Sequence, residues 1–215
     1  MVVPMTELET IQRLPAYAKV RHLMRPGDVV VFSGRAVISR LIQFFSRSPV
    51  THAACVRQAM HQDGPYDVMV TESTISKTRN GPQTNPLSEI LTMDYGLGSQ
   101  ASWLPLDEDF RKRVDFDKFY AFIGGVEDHC RYDIEGLVLY AAKFLPTIGP
   151  FIEASEDPRQ MFCDAYIIAL FEASGALRGI NYRKMTPQDL CEMSLYSKSV
   201  PIFGRPLVIR NFNSV

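Results

Sequence analysis

Apolar β-type runs crowd the first half of this chain, and helical periodicity fills most of the second. That segregation limits what it can fold into. Pro26-Gly27-Asp28 is a turn signal, and Val29-Val30-Val31-Phe32 behind it reads as a buried strand. His52 to Arg57 reads as a second strand. After the polar turn His61-Gln62-Asp63-Gly64-Pro65, Tyr66 to Ser73 reads as a third, and Gln100 to Leu106, with the single tryptophan Trp103, as a fourth. Ser39 to Phe45 is a short helix by its apolar side. Residues 76–100 read as loop, punctuated by Asn80-Gly81-Pro82 and Asn85-Pro86, with one helical turn at Leu87–Leu91. Helices are expected over Asp107–Gly124, over Ile134–Leu145, from Cys163 to a C-cap at Gly175, and from the N-cap Thr186 with Pro187 at its first position. Ile202-Phe203 and Leu207-Val208-Ile209 offer one or two closing strands. Strands first, helices next and a strand last make an α+β fold.

The 215 residues suffice for one large domain, 25–215, behind a helical lead-in at 1–24 whose Leu8, Ile11, Leu14, Tyr17 and Val20 recur at helical spacing. A net charge of -1 gives no field to steer nucleic acid or an anionic membrane. Arg35, Arg40 and Arg47 read as one solvated helix face. Cys55, Cys130, Cys163 and Cys191 have no CxxC or zinc-type spacing, so free thiols are expected, and no metal or organic cofactor. No basic segment followed by an apolar one opens the chain, where Glu7 and Glu9 stand, and no apolar run approaches the roughly 20 residues of a membrane span. The expectation is a cytoplasmic or other intracellular protein with no integral membrane segment.

Two residues carry chemistry. Cys163 opens a helical apolar run, where the positive helix end favours a thiolate. His52 opens a strand, where an imidazole can be held as a general base. A buried cysteine is more often an apolar filler, and a strand-edge histidine is often only packed. Glu72 closes a strand expected beside that of His52 and can accept the imidazole N–H; Thr71, Ser73 and Tyr132 are fallbacks for that role. Tyr132 can instead donate to a developing oxyanion together with the N–H of Cys163, and Asp164 is a further candidate to face oxyanion or substrate. Cys55 alternates with His52 and is expected on the other face of its strand.

The order of these segments resembles the circularly permuted branch of the NlpC/P60 papain-like superfamily, with its YiiX-like and YaeF-like bacterial members. Arg25-Pro26-Gly27-Asp28-Val29-Val30-Val31-Phe32 resembles the opening strand, Ser39 to His52 the approach to the histidine, and Val70-Thr71-Glu72-Ser73 the strand end. Tyr132-Asp133, Phe162-Cys163-Asp164-Ala165-Tyr166 and Thr186-Pro187-Gln188-Asp189-Leu190 resemble three later segments, so the likeness runs over about residues 25–210. His52 precedes Cys163, the inverse of the unpermuted order.

The resemblance implies a permuted papain-like fold, an antiparallel sheet packed against the helix that bears the cysteine. It also implies a cysteine hydrolase, an amidase or thiol protease, with Cys163 as nucleophile, His52 as base and Glu72 as orienting residue. A peptide-, amide- or acyl-containing substrate would be its partner. A lipid-directed thiol hydrolase or acyltransferase and a silent binding module that keeps the cleft stand as alternatives. Asp164-Ala165 replaces the usual Ser-Glu after the cysteine, and the long 76–99 segment is of a length that often shapes a cleft.

Overall fold

The computed structural model describes residues 14–34, 43, 48–59, 67–75, 80–93, 99–127, 163–180 and 185–215. The helices expected at Ser39–Phe45 (Gln43 apart) and Ile134–Leu145, the three arginines at 35, 40 and 47, and Tyr132 lie outside them.

The fold is α+β, built on an open, fully antiparallel sheet. In chain order come helix α1 (Pro15–Val20) with a 3-10 turn behind it, then strands β1 (Val29–Ser33), β2 (His52–Gln58), β3 (Met69–Ile75) and β4 (Asn80–Pro86). Helix α2 (Leu87–Met93), strand β5 (Gln100–Leu104), helices α3 (Glu108–Arg111), α4 (Phe116–Glu127), α5 (Cys163–Ala173) and α6 (Pro187–Glu192), and strand β6 (Val200–Phe203) follow. The strands lie in the order β4-β3-β2-β1-β5-β6.

Alternation along the strands splits the core in two. Val29, Val31, Ala53 and Cys55 join the inner sides of α4, α5 and α6. Val30, Phe32, Ala54, Val56, Val68 and Val70 join Leu14 and Tyr17 of the lead-in, Leu87 and Leu91 of α2, and Trp103. Cys55 thus faces away from Ala54 and Val56, as alternation requires. Every residue of α5 from Cys163 to Phe171 is buried, so this helix is apolar nearly all round and central, where an exposed helix would show one apolar stripe.

Asp28 anchors the end of the sheet where β1 begins. Its carboxylate accepts from the Arg25 N–H, Trp103 Nε1 and the Leu106 N–H, each at 2.9 Å, and from the Arg111 guanidinium. The turn before it needs Gly27, whose φ is 89° and whose added Cβ would meet Leu106 Cδ1 at 2.9 Å.

Three expectations are corrected. Residues 80–86, read as loop, form β4, paired with β3 along its whole length. Pro82 and Pro86 are tolerated because β4 is an edge strand, and an edge strand has one side free of ladder bonds. The single helix expected over Asp107–Gly124 is two, α3 capped by the Asp107 side chain and α4 starting after Asp115. Leu207–Ile209 is not a strand: β6 ends at Phe203 and the chain turns at Gly204, φ 70°, where a Cβ would strike the Ser99 carbonyl oxygen. By contrast, Thr186 and Asp189 form a reciprocal capping box with Pro187 inside it, and Gly175 takes a left-handed φ of 78° just past α5.

Candidate active site

His52 is held before any catalytic argument begins. The Thr51 N–H donates to the Phe32 carbonyl at 2.8 Å, and Thr51 Oγ1 accepts from the Gly34 N–H at 2.9 Å, fixing the entry to β2. Ser48 Oγ accepts from the Val50 N–H at 3.0 Å and bonds Gln188 Oε1 of α6 at 2.6 Å, so the approach to the histidine is tied to a distant helix. Gln43 Nε2 reaches Ser33 Oγ at 3.2 Å and the Gly34 carbonyl at 3.1 Å. Phe32 lies opposite His52 in the ladder, with the ring centroids 5.7 Å apart.

The imidazole Nε2 and Glu72 Oε2 are 2.5 Å apart and both side chains are buried. A carboxylate only accepts, so Nε2 carries the proton. Cys163 is the second group that acts on the ring, by its charge and a side-chain hydrogen bond. Burial by itself lowers the His52 pKa. The charge and hydrogen bond of Cys163, then those of Glu72, outweigh it and raise the value to about 10.

Cys163 and His52 come from elements on different layers. His52 opens β2, and Cys163 on α5 meets its ring there. The meeting is braced one turn along the helix. Tyr166 OH and Thr71 Oγ1 are 2.6 Å apart, joining α5 to β3 three residues after the cysteine and one before Glu72. Thr71, a fallback orienting group by sequence, is therefore spent on holding the helix. Neither Tyr166 nor this bond was singled out by motif reading, because a tyrosine in an apolar helical run reads as core.

Glu72 has a second partner that the sequence concealed. Asn85 Nδ2 donates to Glu72 Oε1 at 3.0 Å. Asn85 lies in the segment read as loop, so nothing in the sequence placed it beside β3.

Asp164 is the odd member. It is buried, its Oδ1 is 3.8 Å from Cys163 Sγ, and its Oδ2 has no hydrogen-bond partner. Burial raises its pKa, the N–H groups of Asp164 and Ala165 oppose the rise, and Asp189 adds to it, giving about 7. Of the sequence-selected residues, the structure thus gathers Cys163, His52, Glu72 and Asp164. Tyr132 lies outside the described residues.

Among the described residues, no three His, Cys, Asp or Glu side chains are grouped so as to hold a metal ion, and no helix is long and apolar enough to cross a membrane. No model of a known protein family matches the chain, and no curated protein matches it either. The fold and site define an α+β protein in which a buried histidine on β2 is bonded to Glu72 and lies against Cys163 of α5.

Proposed function

We propose that this chain is a cysteine hydrolase of permuted papain-like type, acting on amide bonds through a thioester. One observation carries the reading: a single buried imidazole is bonded to a carboxylate on one side and acted on by the thiol of Cys163, on helix α5, on the other. Thiol catalysis asks for that order of nucleophile, base and orienting group.

In the resting pair, His52 holds the proton that Cys163 gives up. The imidazolium is stabilised by Glu72, and the thiolate by the imidazolium and the helix end. Sγ attacks the carbonyl carbon, and the C=O electron pair moves onto oxygen. On collapse the C–N bond breaks and His52 Nδ1–H protonates the departing nitrogen, leaving a Cys163 thioester and neutral His52. Water then gives its proton to Nδ1 as its oxygen attacks the thioester carbon. The C–S bond breaks, releasing a carboxylic acid and restoring the thiolate–imidazolium pair. The Cys163 N–H is the proposed donor to the oxyanion.

The test is the pH-dependence of iodoacetamide alkylation, resolved for each cysteine by mass spectrometry, in wild type and His52→Ala. Fast labelling of Cys163 alone below about pH 7, under the ordinary thiol value near 8.5, and its slowing in the variant are the expected results. Labelling of Cys163 no faster than of Cys55 and Cys191 would remove the mechanism and leave a binding cleft.

A further inference from the structure

Glu72 has two carboxylate oxygens, and a relay through His52 uses one. On a buried side chain the other oxygen must be satisfied, or it costs about 1–3 kcal/mol. A glutamate also has enough rotatable bonds to swing its carboxylate away from a single partner. In this fold the second oxygen, Oε1, is held by Asn85 Nδ2.

The donor sits on a fixed scaffold. Asn85 pairs with Val70 in the β3–β4 ladder, two residues from Glu72 on the same face of the sheet. Pro86 follows and restricts Asn85 to extended backbone, so the amide does not drift with a mobile loop. The chemistry of the donor matters as much as its place. A lysine or arginine there would compete with the imidazolium for the carboxylate's charge. A neutral amide satisfies Oε1 and leaves that charge facing His52.

Resting on the proposed hydrolase reading, we infer that Asn85 is a positioning residue of the site, a fourth member that acts through Glu72 to hold its Oε2 on His52. It touches neither substrate nor thiol. Its effect reaches Cys163 by sharpening the stabilisation of the His52 imidazolium, and through it the thiolate.

The experiment compares wild type, Glu72→Gln, Asn85→Ala and Asn85→Asp, the last keeping the shape while replacing the donor by an acceptor beside a carboxylate. Iodoacetamide alkylation of Cys163 is followed from pH 5 to 9, with thermal melting measured on each. The expected result is a profile displaced to higher pH in Asn85→Ala, with labelling at pH 6 slowed about three- to tenfold. A larger displacement is expected in Asn85→Asp, in the same direction as Glu72→Gln. A structural role alone would change the melting and leave the profile in place. Profiles of both Asn85 variants that superimpose on wild type while Glu72→Gln is displaced would overturn the role of Asn85 and leave the hydrolase reading intact. Wild-type Cys163 that labels slowly and without regard to His52 would overturn both.

Discussion

Two buried cysteines sit at opposite ends of the same sheet, and they live in opposite chemistry. Cys55 on β2 is fully buried near Asp28, and its thiol is pushed far up, by burial first and then by the Asp28 charge, with only Arg111 and the Gly27 N–H opposing. Cys163 is also buried, yet its neighbour is an imidazole already bonded to a carboxylate. Residue type and burial are the same at both ends. The difference lies in the charged groups nearby: the Asp28 carboxylate adds to the effect of burial on Cys55, whereas Cys163 acts on an imidazole bonded to Glu72.

The carboxylates repeat the contrast. Asp28 is saturated by four donors, one of them a part-buried guanidinium, and serves as a structural knot. Glu72 is saturated by two, one of them the base of the proposed relay. Among the described residues, Asp164 Oδ2 has no hydrogen-bond partner and neither has Arg111 Nε beside Asp28, so unpaired buried atoms occur at both ends of the sheet.

The sharpest way to break the comparison is to remove the histidine. His52→Ala is expected to slow Cys163 alkylation at pH 6 by about two to four orders of magnitude while Cys55 labelling in folded protein stays negligible. If the two cysteines then still differ, His52 is not what separates them. In the proposed mechanism, hydrolysis should fail as pH rises through about 10, where His52 loses the proton the leaving group needs. A kcat/KM profile that stays flat to pH 11 would contradict this.

At the other end, Asp28→Ala takes the acceptor from three N–H donors and from a part-buried guanidinium that still bonds the Pro26 carbonyl. The expected cost is about 3–5 kcal/mol, which at roughly 2–4 °C per kcal/mol is a large fall in Tm. Surviving folded protein should keep fast Cys163 labelling. Loss of that labelling without loss of fold would mean that the two ends are coupled.

Tyr166→Phe removes the bond to Thr71 and should cost about 1 kcal/mol of stability. Because that bond also braces α5 against β3, Cys163 labelling should slow by a few-fold in the same variant. Labelling unchanged beside the expected fall in denaturation midpoint would limit the bond to packing.

The smallest effect has the opposite sign. With its pKa raised from 3.8 to about 7, chiefly by burial, Asp164 contributes stability below pH 4 that is lost as pH climbs through 7. Asp164→Asn should therefore raise Tm at pH 8 by about 2–4 °C, with little change at pH 5. A gain equal at both values would show that the carboxylate is not titrating there.

Much of this was legible before any coordinates. Local rules found the Gly27 turn and β1, the capping box at Thr186, and the helical run from Cys163 to the Gly175 cap, because turn chemistry, capping and apolar run length are properties of a few consecutive residues. The same rules failed at β4. Pro82 and Pro86 signal a loop to any reading of neighbours, and only the place of that strand at the sheet edge makes them tolerable. With β4 went Asn85, invisible as a partner of Glu72 until its strand existed.

The sequence by itself determined the inventory: a thiol in a helical run, an imidazole at a strand start, a glutamate on the next strand, and the α+β order that carries them. That Glu72 sits within β3, where the sequence placed it at the strand's close, came from the structure. What only the tertiary structure decided is adjacency. His52 and Cys163 stand 111 positions apart in the chain, and no local preference reports which nitrogen of the ring faces which partner. Nor does any local preference say that Thr71 holds a helix, that Asn85 holds Glu72, or that Asp164 has an oxygen left unpaired. Those outcomes depend on strand register and helix docking. Both are fixed by burial of the two core layers, and so by contacts between segments that know nothing of each other along the chain.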